Sequence, residues 1–176
     1  MNLSKNFEEL LKKKELNGRK WSLLYQGSRD GFQNYDFHSL CNSIPNTLTI
    51  VKSTGGNIFG GFTSVQWNSN SNSSWEYDKS AFIFSLVNKE NRPLLFEHSS
   101  SDINSIVSHP YYCPTFGRGH DFHISNFSNM NTNSCSNIGQ TYTHPEYPFG
   151  SHRAKTILAG TENFQVQEIE VFGMQQ

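Results

Sequence analysis

The sequence has little charge, and what it has nearly cancels. Only 16% of its 176 residues are Asp, Glu, Lys or Arg, and the formal net charge at pH 7 is −1. Such a chain makes no overall basic field for nucleic acid, so no nucleic-acid partner is expected. No apolar run approaches the roughly 20 residues that span a bilayer, and the first residues carry no apolar signal core. No integral membrane segment is expected. Cysteine is scarce: Cys41, Cys113 and Cys135 cannot all pair within one chain. Without a secretory signal they read as reduced thiols in a cytoplasmic protein. The sequons at Asn72 and Asn126 then carry no meaning.

Aromatics are plentiful, at 14% with Phe dominant, and polar bulk comes from Ser, Asn and Gly. This composition leans toward β structure in one domain of ordinary size. Charge is uneven: residues 1–20 hold six basic residues against three acidic, and the remainder is net acidic. The basic stretch reads as a solvated helix face, with contact to an acidic partner as the alternative.

Apolar spacing predicts a helix over Ser4–Leu16, stopped at Asn17-Gly18, and a strand over Trp21–Gln26. Gly27–Phe32 reads as a turn. Asn34–Cys41 reads as a short helix capped by Asn34, with Phe37, Leu40 and Cys41 on one side. Strands are expected over Thr47–Lys52, Asn57–Trp67, Ala81–Val87, Leu94–Glu97, His120–Ser125 and Asn163–Phe172. The last changes phase between Val166 and Ile169, which calls for a bulge near Gln167 or Glu168. One helical turn is expected over 102–108. Asn68–Ser74 and Asn126–Asn137 read as polar loops. Many short strands with sparse helices give a mainly β fold, a β-sandwich of two antiparallel sheets with a few short flanking α-helices.

The stretch KSTGGNIFGGFT (52–63) raises the question of a phosphate loop. A P-loop needs its lysine after the glycines and a helix next; here Lys52 precedes them and a strand pattern follows. A hairpin explains the stretch better, with Thr54-Gly55-Gly56 as its turn and Gly60-Gly61 inside the second strand. Glycine there implies close packing or a bend in the sheet.

His109, Cys113, His120 and His123 are zinc-ligand types. Their spacing matches no familiar knuckle, and His120 and His123 on a strand would face opposite ways, so no metal or other cofactor is expected. Glu168 and Glu170 share a strand face, where paired carboxylates do acid–base work or simply mark an exposed edge. Arg29-Asp30 sits in the turn after the first strand, where an Asx turn with an arginine clamp is the commoner outcome. Trp67, Trp75 and Tyr77 suggest a glycan-binding surface more weakly, since at least Trp67 is expected in the core.

WSLLYQGSRDGF (21–32), DFHSLC (36–41), TLTIVKSTGGNIFGGFTSVQW (47–67), SAFIFSL (80–86), PTFGRGHDFHIS (114–125) and FQVQEIEVF (164–172) occur in this order. Together they resemble the TLDc domain family, which includes the oxidation-resistance proteins. The motif residues that carry the likeness include Gly31, Gly56, Phe59, Gly60, Gly61, Phe116 and Gly117. The resemblance implies a TLDc domain over 21–173 with an N-terminal helical extension over 1–20. It also implies a role in oxidative-stress resistance, and protein partners in the peripheral part of the vacuolar proton-pumping ATPase, whose assembly related domains regulate. The location implied is cytoplasmic and peripheral to vacuolar or lysosomal membranes. It brings no catalytic residues and leans against an enzyme. Arg29, Asp30, Glu168 and Glu170 are the candidate interaction residues. The alternative is an enzyme or scavenger that acts directly on oxidants through cysteine or acidic residues.

Overall fold

A computed structural model describes residues 3–69, 74–99 and 103–175. The sequon at Asn72 and the middle of the first polar loop lie outside these residues. The elements are α1 (Leu3–Lys13), β1 (Trp21–Gln26), α2 (Gly27–Asp30), α3 (Asn34–Cys41), β2 (Thr47–Ser53), β3 (Ile58–Thr63), β4 (Ser74–Glu76), β5 (Phe82–Val87) and β6 (Leu94–His98). They continue with β7 (Ile106–Ser108), β8 (Thr115–Phe116), β9 (Phe122–His123), β10 (Ser134–Ser136), β11 (Tyr142–Thr143), α4 (His152–Thr156), β12 (Asn163–Phe164) and β13 (Val166–Met174).

The strands form two sheets. One has seven strands in the order β1-β13-β2-β3-β5-β6-β11, the other six in the order β12-β10-β9-β8-β7-β4. Every ladder between named strands is antiparallel. The expected two-sheet sandwich with short helices is therefore the observed fold.

Alternation along the strands builds two cores. Val51, Phe59, Ile83, Phe96, Phe116, Phe122, Phe164, Ile169 and Val171 meet between the sheets. Leu48, Phe62, Phe82, Phe84 and Leu86 point outward from the seven-stranded sheet, and Leu10 and Leu11 of α1 close over them. Phe7 of α1 packs its ring 5.9 Å from that of Phe84. The central strands are thus buried on both faces, and α1 is a lid on the outer one.

The glycine hairpin forms as expected, with β2 paired to β3 across Thr54-Gly55-Gly56, and Gly56 takes φ +82°. The second glycine pair serves two faces. A Cβ on Gly60 would strike the Thr49 carbonyl oxygen and come within 2.8 Å of the Phe84 ring in the outer core. A Cβ on Gly61 would meet the Phe116 ring at 2.8 Å in the inner core. Close packing, one glycine per face, is the reason for the pair.

Several expectations need correction. Gly27–Asp30 is a helical turn, α2, rather than an open turn. The cap of α3 is Gln33, in a capping box with Asp36, and Leu40 is exposed while Phe37 and Cys41 are buried. Residues 106–108 form β7, which pairs with β4 and β8, so the expected helical turn is absent there; residue 102 lies outside the described residues. The β3 strand stops at Thr63, and Trp67 instead bridges to Asn42. The strand expected from His120 shrinks to Phe122–His123, and Ser134–Ser136 pairs within what read as a loop. The phase change near Gln167 is real: the register against β2 shifts between Val166 and Glu168. In addition, Asn163–Phe164 belongs to the other sheet, so the chain crosses between sheets at Gln165.

Candidate functional site

The outward face of β13 carries the two candidate glutamates. Glu168 lies opposite Lys52 of β2, and Glu170 opposite Ile50 on one side and Gln26 of β1 on the other. Beyond the edge of α1 these side chains border an open groove of about 590 Å³. Its floor is Ile50, Ile58 and Leu86, one wall is Ser4 and Phe7, and Lys52, Glu168 and Glu170 supply the charge.

Glu168 Oε1 accepts from the Ser28 N–H and from the Ile169 N–H, both at 3.0 Å. It therefore ties β13 to the start of α2. Glu170 has a weaker partner, Gln26 Nε2 at 3.5 Å. Partial burial pushes the Glu170 carboxyl up from its ordinary pKa, and the neighbouring Glu168 charge adds to this. The groove thus joins an apolar floor to a carboxyl that holds its proton more tightly than usual.

Arg29 and Asp30 sit on α2. Asp30 accepts two bonds from the Arg29 guanidinium, at 2.8 and 2.7 Å, and one from the Gln26 N–H at 2.8 Å. Arg29 also donates to the Leu24 carbonyl at 3.1 Å. The hydrogen bonds from Arg29 hold the Asp30 carboxyl below its usual pKa. The pair clamps α2 onto β1, and the Arg29 side chain remains about half exposed. Gly31 follows with φ +109°, its carbonyl accepting from the buried Tyr25 hydroxyl at 2.8 Å.

The structure brings Glu168, Glu170 and α2 together but keeps the histidine segment apart from them. Its geometry also departs from expectation. His120 has φ +55° and lies in a turn, not on a strand, so its ring stacks against that of His123 at 5.0 Å rather than facing away. Tyr112 stacks on His109 at 4.0 Å and meets His123 at 4.5 Å. Among the described residues no group of three His, Cys, Asp or Glu side chains is arranged to hold a metal ion.

Cys41 and Cys113 are buried and Cys135 is partly buried; all three are free. Burial raises each thiol pKa, that of Cys113 to about 12. A thiol held protonated is a poor nucleophile toward oxidants.

Two structural carboxylates went unnoticed in the sequence. Asp78 accepts from Thr63 Oγ1, Ser64 Oγ, the Ser80 N–H and Ser80 Oγ at 2.6–2.9 Å, and from the Ser64 N–H. Asp121 is buried and accepts four backbone N–H groups, from Gly139, Gln140, Thr141 and Tyr142. Gly117, with φ +80°, leaves room for that carboxylate. The only sequence hint was placement: Asp121 within GRGHDFHIS, and Asp78 two residues before Ser80.

Among the described residues no helix is long and apolar enough to cross a membrane. No curated protein matches the chain. The family model of the TLDc domain matches residues 2–175, a span that includes α1, the acid-lined groove and both glycine pairs. The chain belongs to the TLDc domain family.

Proposed function

We propose that the chain is a protein-binding module that docks on the peripheral part of the vacuolar proton-pumping ATPase. In this reading it regulates assembly or activity of that enzyme, and through it resistance to oxidative stress. The observation that carries the reading is the family match over residues 2–175. A position in the cytoplasm, peripheral to vacuolar or lysosomal membranes, goes with it. Arg29, Asp30, Glu168 and Glu170 serve as charged contributors at the margin of the contact, where charge tunes encounter rate and salt dependence more than affinity. The test is direct binding of the purified chain to the purified peripheral sector of the ATPase. Saturable binding supports the reading; a folded chain that shows none at micromolar concentration removes it.

A second reading, direct chemistry on oxidants, keeps one supporting observation. The buried thiols with raised pKa speak against a cysteine route. The acid pair speaks for a proton-transfer route, because Glu170 has a raised pKa and borders an apolar groove beside Glu168. Peroxide consumption by the purified chain with an added thiol reductant, which supplies the two electrons and is oxidised to its disulfide, supports this reading if it is lost in Glu168→Gln/Glu170→Gln. Consumption no faster than with the thiol reductant alone ends it.

A further inference from the structure

Four exposed apolar side chains converge on one end of the sandwich. Asn34 is the joint. Its N–H donates to Asn126 Oδ1 at 3.0 Å, and its side-chain amide donates to the Pro110 carbonyl at 2.6 Å. Nearby, the Phe127 N–H donates to the Phe32 carbonyl at 2.9 Å. Segments 32–35, 110–112 and 126–131 are thereby gathered. They present Tyr35, Tyr111, Phe127 and Met130, which are 74, 72, 44 and 77% exposed. Single exposed hydrophobics carry no message, whereas a group of them on bonded neighbouring segments, here the start of α3 and two loops, marks an interaction surface.

The tip of this surface is stiff. Phe127 has φ +53°, uncommon for an aromatic residue. The Asn131 amide fixes it by donating to the carbonyls of Asn126 and Phe127, each at 2.9 Å. The Met130 N–H donates to the Phe127 carbonyl at 2.9 Å, and Asn131 Oδ1 accepts from Ser125 Oγ and the Asn133 N–H at the same distance. Gln165 Nε2, where the chain crosses between the sheets, donates to the Asn129 carbonyl at 2.6 Å. A loop ordered in advance loses little entropy on binding.

The chemistry of the surface narrows its occupant. Residues 32–35, 110–112 and 126–134 contain no Lys, Arg, Asp or Glu. The flanking ionisable groups are engaged: Asp36 accepts from the Gln33 N–H, and the His109 ring stacks on Tyr112. A site for anionic lipid would carry basic residues, and a site for a charged partner would carry the complementary charge. Tyr, Phe and Met set among Asn and Ser, with charge removed from the centre, is the composition of protein-binding surfaces.

We infer that this end of the sandwich is the face through which the chain docks on a protein partner whose matching surface is apolar and uncharged at its centre. The inference rests on the binding reading given above, because the peripheral sector of the ATPase is the probe. Wild type, Tyr111→Ser/Met130→Ser and Tyr35→Ser/Met130→Ser are compared on that sector at low and high salt. Trp75→Ser/Tyr77→Ser removes exposed aromatics at the β4 edge and is the control. Thermal unfolding verifies that each variant is folded. Both loop variants are expected to bind at least about tenfold more weakly at either salt concentration, and the control is expected to match wild type.

Loop variants that bind like wild type overturn this face and leave the binding reading standing. An equal loss in the control overturns it as well. If wild type itself does not bind the sector, the binding reading fails and the docking face fails with it. Uptake onto phosphatidylcholine vesicles, or a concentration-dependent dimer, that disappears in both loop variants assigns the surface to a membrane or to a second copy and overturns the inference.

Discussion

A methyl group added at Gly60 would run into the Thr49 carbonyl, an atom of the neighbouring strand that cannot swing away as a side chain can. Gly60→Ala is therefore expected to lower stability by about 3 kcal/mol, the upper end of overpacking costs, and Gly60→Val to leave no folded domain. Urea titration of soluble protein checks the first and yield in the soluble fraction the second. Asp121 is a second residue on which much rests. Asp121→Ala removes the shared acceptor of the Gly139, Gln140, Thr141 and Tyr142 N–H groups, and a loss of about 3 kcal/mol is expected, since losing a buried hydrogen-bond partner costs about 1–3 kcal/mol. His123 gives a pH signature. It is buried against Thr115 Oγ1, and burial, with the charges of His120 and His109 behind it, pushes its pKa down to about 3. The unfolded chain takes up this proton near pH 6.5, well before the native chain does. The contribution of His123 is therefore fully present above that pH and is lost as pH falls from about 6.5 toward 3. Replacing His123 with Gln should flatten the stability profile in that window, as read from urea midpoints at successive pH values.

At the level of elements, α1 carries the clearest expectation. Its Leu10 and Leu11 cover Phe82, Phe84 and Leu86 on the outer sheet face. Leu10→Ala should cost about 2–4 kcal/mol, as for other buried leucines, and should increase dye binding to exposed apolar surface. The sequence made this helix legible through Phe7, Leu10 and Leu11 at helical spacing, and made β2, β3 and β5 legible through alternation. It hid β7, β8 and β10, and overextended β9, because two or three residues are too few for a period to register. It hid α2 because GSRD looks like a turn until Asp30 and Arg29 are seen clamping it to β1. For the candidate site, the shared face of Glu168 and Glu170 followed from spacing alone. Their groove did not, because Phe7 reaches it from more than a hundred residues away. The surface built around Asn34 was equally hidden, since the start of α3 and two distant loops contribute to it and none of them stands out alone.

For the molecule as a whole, β13 matters most. It lies between β1 and β2 and joins the two earliest strands of the seven-stranded sheet. On a ribosome, β1 and β2 emerge with no partner between them, and they wait while more than a hundred further residues are made. The hairpin of β2 and β3 can close early, but β1 has no ladder partner other than β13 among the described strands. Pairing over such separations is slow and leaves strand edges bare in the meantime. A chain that stops shortly before Val166 would have an open gap through its larger sheet, however well its other strands pair. Completion of the larger sheet is in that sense decided only when β13 has been made.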